Sequence, residues 1–243
     1  MALLSIASVV SIASIHEELH GCSLKTSLKD AAKHEAGHAL VLWLLDRYLG
    51  GVCLLDHGGV TVSVNAGKPP QVPSFHLLHA LAGMEMANDV DVIEDLRDHV
   101  ATPDYFYKGT DSWLAATLVK AFRGTPLSVF LTHQVALTRF RERFRHPYKE
   151  MVNLLLEEPH AISVGQAYEF FGRWDAEFGF DKRPKSDFVM RTLMRECRWK
   201  PPKCKWLGWD MKPLEGWTYS RLPLERIMEL ARAELTKDER LRE

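Results

Sequence analysis

The sequence predicts a mainly α-helical fold with a small β-sheet or hairpin next to one central helix. Apolar residues recur at helical spacing in several segments of the 243-residue chain. Val60, Val62 and Val64 alternate with polar residues, as in a strand, and the pattern His-Glu-x-x-His at residues 34–38 lies inside one of the predicted helices. A content of 46% hydrophobic and 26% charged residues is typical of a globular protein with its own core.

Charge and cysteine content exclude several classes of protein. The chain has 31 basic and 32 acidic residues and a net charge of −1, which excludes a wholly basic, histone-like surface. Its four cysteines form no C-x-x-C pair, so we expect neither a zinc ribbon nor a disulfide framework, and we predict a reducing, cytoplasmic compartment. Because no run of 18 apolar residues occurs, we expect no membrane span.

We divide the chain into three predicted regions: residues 1–24, 25–180 and 181–243. The first begins with the apolar run MALLSIASVVSIASI, which has no preceding positive charge and is predicted to be a packed N-terminal helix rather than a signal peptide. The last is a basic extension that contains proline and tryptophan.

The central region is predicted element by element from its local signals. A helix begins after Ser27, because Ser27-x-x-Asp30 is a capping pattern, and Gly50-Gly51 ends it. A β-hairpin follows over residues 51–64, with Gly58-Gly59 as its turn. Further helices are predicted at residues 74–99, 111–123 and 127–158, the last interrupted near Pro147, which cannot continue the preceding turn.

The basic extension admits three interpretations. Residues 182–205 hold nine Lys and Arg side chains against two acids, with Trp199 and Trp206 nearby. These residues could bind nucleic acid through phosphate contacts and base stacking, dock onto protein, or form a plain solvated surface. We expect nucleic acid to be the least favoured of the three.

The chemistry is concentrated in the segment His34-Glu35-Ala36-Gly37-His38. Residues four apart on a helix lie one above the other, so both imidazoles can reach one metal ion, while Glu35 can take a proton from a water bound to that ion. Gly37 costs helix stability, which indicates that another part of the chain approaches closely there. The resulting expectation is a Zn²⁺ site with Glu35 as general base.

A second copy of the pattern, His16-Glu17-Glu18-Leu19-His20, lies next to Gly21. A helix that ends at this glycine would fray and spoil the ligand geometry. We therefore expect His16 and His20 to be surface residues on the polar side of the first helix, with an auxiliary metal site as the alternative.

The third zinc ligand is left open by spacing alone. The extended metzincin pattern is excluded, because Val41 and Leu44 stand where its glycine and histidine belong. Glu85 or Glu94 would serve in a thermolysin-like arrangement, and Asp111, at the start of a predicted helix, is the other candidate.

Four stretches of residues 25–170 resemble the FtsH-type zinc peptidases, the proteolytic half of membrane AAA proteases; the last of them, EMVNLLLEEPHAISVGQA, is similar to the closing helix and turn of that family. AAKHEAGHALV resembles the active-site helix of that family, and LAGMEMAND and GTDSWLAAT resemble its L-[AG]-G-R-x-A-E-E and G-A-S-N-D-L-x-x-A-T segments. The resemblance implies a zincin-like peptidase domain at 25–180 in which Asp111 is the third zinc ligand. The chain departs from the family at Met84, Ala87, Asn88 and Thr110, and it contains no G-x-x-x-x-G-K-[ST] ATPase motif.

Two functions from different classes follow. The first is an ATP-independent zinc metalloendopeptidase of unstructured polypeptides or peptides, with His34, His38 and Asp111 on zinc and Glu35 as base; we expect a polypeptide substrate, and an oligomer is compatible with the sequence. The hairpin strand with Val60, Val62 and Val64 could be an edge that binds substrate, or could merely cover the core. The second function is a catalytically silent zinc-containing interaction protein, with a latent peptidase gated by residues 1–20 lying between the two.

Overall fold

The computed structural model of the protein describes residues 6–11, 27–46, 48–55, 58–64, 73–106, 110–120, 122, 124–180 and 185–195. Its strands are β1 (Ile6–Ser11), β2 (Tyr48–Leu55), β3 (Gly58–Val64) and β4 (Ala161–Ser163). Its helices are α1 (Leu28–Leu44), α2 (Pro73–Ala87), α3 (Val90–His99), α4 (Asp111–Val119), α5 (Pro126–Arg143), α6 (Arg145–Leu156), α7 (Val164–Phe178) and α8 (Lys185–Arg195), with a 3₁₀ turn at Pro103–Tyr105. The prediction of a mainly helical chain with a small sheet is confirmed.

The sheet is antiparallel throughout, in the order β1-β3-β2-β4. Strands β2 and β3 form the predicted hairpin, but Gly58 and Gly59 pair with Leu55 and Leu54 inside it rather than forming its turn. Gly50-Gly51 also lies within a strand instead of ending a helix. The register shifts between Leu49 and Gly51, where Gly51 adopts φ 140°, a conformation that glycine tolerates.

The prediction of an N-terminal helix over residues 1–24 is wrong for Ile6–Ser11, which form strand β1 and pair antiparallel with β3. The run IASVVS contains Ile and Val, whose branched side chains favour strands, and an available strand edge supplies partners for its backbone groups. Residues 12–26, including His16 and His20, lie outside the described residues.

Helix α1 lies at the centre of the molecule. The Ser27 side chain accepts a hydrogen bond from the Asp30 backbone N–H at its start, as the capping pattern predicts. The helix packs against β2 and β3 as well as against α2 and α6, so almost its whole circumference is buried. A Cβ on Gly37 would lie 2.7 Å from both Ala82 O and Met86 Cβ, which confirms the predicted close approach.

Two predicted long helices are each divided. The segment 74–99 is broken at Asn88, whose φ of 61° ends α2, and Asp89 then caps α3. The other break comes at Phe144, before the expected position at His146-Pro147. Pro147 instead lies in the first turn of α6, where its missing N–H breaks no helical hydrogen bond.

Helix α8, from the predicted basic extension, packs against α1 and α5. Its residues Val189, Met190 and Leu193 are buried in the common core, and Lys185 forms ion pairs with Asp46 and Asp175, each at 3.1 Å. The boundary at residue 181 stays a prediction, as do the interpretations of residues 196–243, which lie outside the described residues. Among the residues that are described, no helix has the length and apolar character needed to cross a bilayer.

Candidate metal centre

Three side-chain atoms from two helices converge on one point. Nε2 of His34 and Nε2 of His38 each lie 3.0 Å from Oδ2 of Asp111, and the two nitrogens are 3.1 Å apart. His38 and Asp111 are buried, and His34 is partly buried. Of the three third-ligand candidates, the structure therefore brings Asp111 to the histidines.

The converging group fits a small divalent cation. Tetrahedral Zn²⁺ with bonds of about 2.0–2.1 Å holds its N and O ligands about 3.3 Å apart, close to the spacing seen here. Hydrogen bonds alone do not account for the triangle: each Nε2 carries at most one hydrogen, and if both hydrogens point to Oδ2 of Asp111, the contact of 3.1 Å between the two nitrogens has none. Oδ1 of Asp111 is also buried without a hydrogen-bond partner among the described residues. His34, His38 and Asp111 together could hold a metal ion.

One glycine and one helix cap position these three side chains. His34 and His38 are one turn apart on α1, and Asp111 is the first residue of α4, which Thr110 caps by accepting a hydrogen bond from the Trp113 N–H. A Cβ on Gly83 of α2 would lie 2.2 Å from Nε2 of His34, so the glycine leaves the space that this imidazole occupies.

Glu35 lies beside the ligands and is fully buried. The Thr61 hydroxyl donates to its Oε2 at 2.7 Å, whereas its Oε1 is buried without a hydrogen-bond partner among the described residues. A Cβ on Gly59 would lie 2.3 Å from Cγ of Glu35, so β3 passes directly over this side chain. Burial raises the pKa of Glu35, although His38, His34 and the Thr61 hydrogen bond oppose the shift.

The ligands are electrostatically coupled. Burial opposes charge on both His38 and Asp111, but their mutual attraction outweighs it. The Asp111 carboxylate raises the pKa of His38, and His38 with His34 holds the pKa of Asp111 well below its usual range. Asp111 therefore stays ionised at neutral pH, the form in which a carboxylate can bind a cation.

The other candidate residues lie elsewhere. Glu85 is buried on the side of α2 that faces α5, where Arg141 donates to its backbone carbonyl, and Glu94 is exposed on α3. The interpretation of Val60, Val62 and Val64 as an edge strand is wrong, because β3 pairs with β2 on one side and with β1 on the other. A strand paired on both sides has no free backbone groups for a substrate.

Sequence reasoning missed Thr61, Gly59 and Gly83 as parts of the site. Thr61 stands between Val60 and Val62, so its side chain lies on the other face of the strand from theirs. This polar position is the signal in the sequence that could have indicated a role for Thr61. The two glycines follow no local rule, since each is required by a side chain from a different element.

Comparison of the chain with protein-family models, with curated proteins and with solved structures gives no match.

Proposed function

We propose that this chain is a zinc metallopeptidase that hydrolyses peptide bonds of unstructured polypeptides or peptides without ATP. The convergence of His34, His38 and Asp111, with the buried carboxylate of Glu35 beside them, carries the proposal. The resemblance of four segments to the FtsH-type peptidases supports the same reaction. The resemblance also explains why the third proposed ligand is Asp111, which lies 73 residues after His38 and supplies an oxygen beside the two imidazole nitrogens.

Zn²⁺ is the metal proposed, because two imidazoles and one carboxylate are three protein ligands of the kind that catalytic zinc sites use. When bound, the ion supplies Lewis acidity, which polarises a carbonyl group and lowers the pKa of water. The ligand side chains fix its position, and the buried carboxylate of Asp111 offsets part of its charge.

Glu35 is the proton carrier in this proposal. Thr61 fixes one carboxylate oxygen, Oε2, and leaves Oε1 available to accept a proton from water and to donate it to the leaving amine. Burial raises the pKa of the carboxylate and therefore makes it a stronger base than an exposed glutamate.

The substrate class follows from the absence of a motor motif in the sequence. The 243 residues contain no G-x-x-x-x-G-K-[ST], so we assign them no unfolding step and propose extended polypeptides as their substrate. A reducing, cytoplasmic compartment remains part of the proposal.

The test compares three zinc-loaded proteins: wild type, Glu35→Gln and Glu94→Gln. The control makes the same carboxylate-to-amide change at an exposed residue of α3. We expect all three to bind one zinc ion per chain, and only Glu35→Gln to lose casein hydrolysis, by at least about a hundredfold, the lower end for a general base. Full activity in zinc-loaded Glu35→Gln would refute this mechanism.

The catalytically silent zinc protein is the competing proposal. It predicts one zinc ion per chain and no hydrolysis of casein or peptides by any variant, including one that lacks the N-terminal strand. Elemental analysis together with casein cleavage, with and without a chelator, separates the two proposals.

A further inference from the structure

Strand β1 occupies the side of β3 that would otherwise be a free sheet edge. The pairing is antiparallel over six residues, from Ile6 opposite Val64 to Ser11 opposite Gly59. An extended peptide that binds a sheet by strand addition uses these same backbone groups. The chain thus places its own N-terminal segment where a polypeptide could add to the sheet.

This edge is next to the catalytic carboxylate. Gly59 passes over the side chain of Glu35, and Thr61 donates to it. Val9 and Ser11 of β1 stand opposite Thr61 and Gly59 in the register. The strand also contacts α4, the helix that begins with Asp111. β1 therefore contacts β3, which passes over the base, and α4, which begins with the third ligand.

We propose that residues 6–11 are an intramolecular competitor that occupies the substrate strand position and weakens the binding of substrate. This inference rests on the proposed function. It also defines a substrate class: an extended, uncharged segment of small and β-branched residues, of which Ile-Ala-Ser-Val-Val-Ser is the chain's own example. The backbone forms the pairing with β3, so segments of similar shape compete for it.

Tethering makes a weak strand an effective competitor. Residues 12–26 connect β1 covalently to the start of α1, and joining a binding segment to its site in one chain raises its effective concentration there. An intramolecular competitor reduces the fraction of molecules that can bind substrate. It therefore raises the apparent KM for a peptide and leaves kcat unchanged.

The first test is deletion of residues 2–11 in the zinc-loaded chain. We expect KM for an extended peptide substrate to fall at least about tenfold at unchanged kcat. A fall of this size is expected if β1 is paired with β3 in about ten molecules for each one in which it is not. A synthetic peptide of residues 1–15 should restore the higher KM. Unchanged KM would show that β1 does not compete with substrate. Loss of kcat with zinc still bound would show that β1 is a structural part of the site. Either result would overturn the proposal.

A pair of proline variants tests the strand pairing without deletion. The N–H groups of consecutive strand residues point to opposite edges, so only one of Val9 and Val10 directs its N–H towards β3. The variant whose N–H points to β3, either Val9→Pro or Val10→Pro, should reproduce the fall in KM. The second variant should resemble wild type, because proline is tolerated where the N–H points away from the neighbouring strand. If neither variant changes KM, the proposal is overturned.

A binding measurement separates this inference from the proposed function, because it needs no hydrolysis. A fluorescent peptide of residues 4–13 is titrated into Glu35→Gln protein with and without residues 2–11. We expect at least about tenfold tighter binding to the shortened protein, even if no variant hydrolyses peptides. Equal binding to both proteins would overturn the competitor role, whatever the activity.

Discussion

Gly83→Ala tests whether the space left by a glycine on α2 sets the position of a metal ligand. The new Cβ would lie 2.2 Å from Nε2 of His34 and 2.4 Å from both of its ring carbons. Non-bonded carbon and nitrogen atoms require about 3.5 Å, so the ring must retreat by about 1.3 Å. Metal–ligand distances tolerate changes of only about 0.2 Å. The substitution therefore removes one ligand, and we expect zinc affinity to fall at least about a hundredfold, or about 2.7 kcal/mol.

The fold should be preserved in this variant. The atoms that a methyl group at position 83 would meet belong to the end of the His34 side chain, which is partly exposed and can swing outwards. Gly-to-Ala exchange within a helix itself stabilises by up to about 1 kcal/mol. We thus expect the free energy of unfolding without metal, measured in urea with a chelator, to be unchanged or higher.

Gly172→Ala is the matched control, since Gly172 lies within α7 and a Cβ there would meet nothing within 4 Å. Competition with a chromophoric chelator gives the zinc affinity of each protein. The control should bind zinc as wild type does. Wild-type affinity in a folded Gly83→Ala protein would refute the assignment of His34 as a ligand.

Three further predictions concern stability. Gly37→Ala should lower the free energy of unfolding by about 1–3 kcal/mol in urea titrations, because its Cβ meets backbone and Cβ atoms of α2 that cannot swing away; an unchanged value would contradict the observed helix packing. Burial raises the pKa of Glu85 from 4.5 to about 7, so its stabilising contribution is present below pH 4.5 and is lost as pH rises through 7. Glu85→Gln should therefore be more stable than wild type at pH 8, by on the order of 1–3 kcal/mol, with no such gain at pH 4; parallel pH profiles would contradict this. Zinc at a hundredfold excess over Kd should raise the unfolding free energy of wild type by about 2.7 kcal/mol and that of Asp111→Ala much less, and equal gains would exclude Asp111 as a ligand.

The local part of the site could be predicted from the sequence. His34 and His38 are related by one helical turn, and the cap at Ser27 fixes where that helix begins, so the placement of both imidazoles follows from a spacing rule. Asp111 was one of three carboxylates compatible with the spacing. Only the resemblance to a family favours Asp111 over the other two carboxylates. No local rule predicts that α4 packs close to α1, because His38 and Asp111 are 73 residues apart in the sequence.

The partners from distant elements could not be predicted. Gly83 and Gly59 are required by His34 and Glu35, contacts that exist only after the helix and sheet have packed. The sequence predicts a helix for Ile6–Ser11, because an apolar run fits either structure. The strand forms because β3 offers it a partner, and that partner is present only in the tertiary fold.

We propose above all that the imidazoles of His34 and His38 and the carboxylate of Asp111 bind one zinc ion. Anomalous diffraction at the zinc absorption edge, from crystals of the zinc-loaded wild-type protein, tests it most directly. We expect one strong peak within about 2.2 Å of both Nε2 atoms and of Oδ2 of Asp111. Zinc bound at other residues, with no anomalous peak between these three atoms, would contradict it.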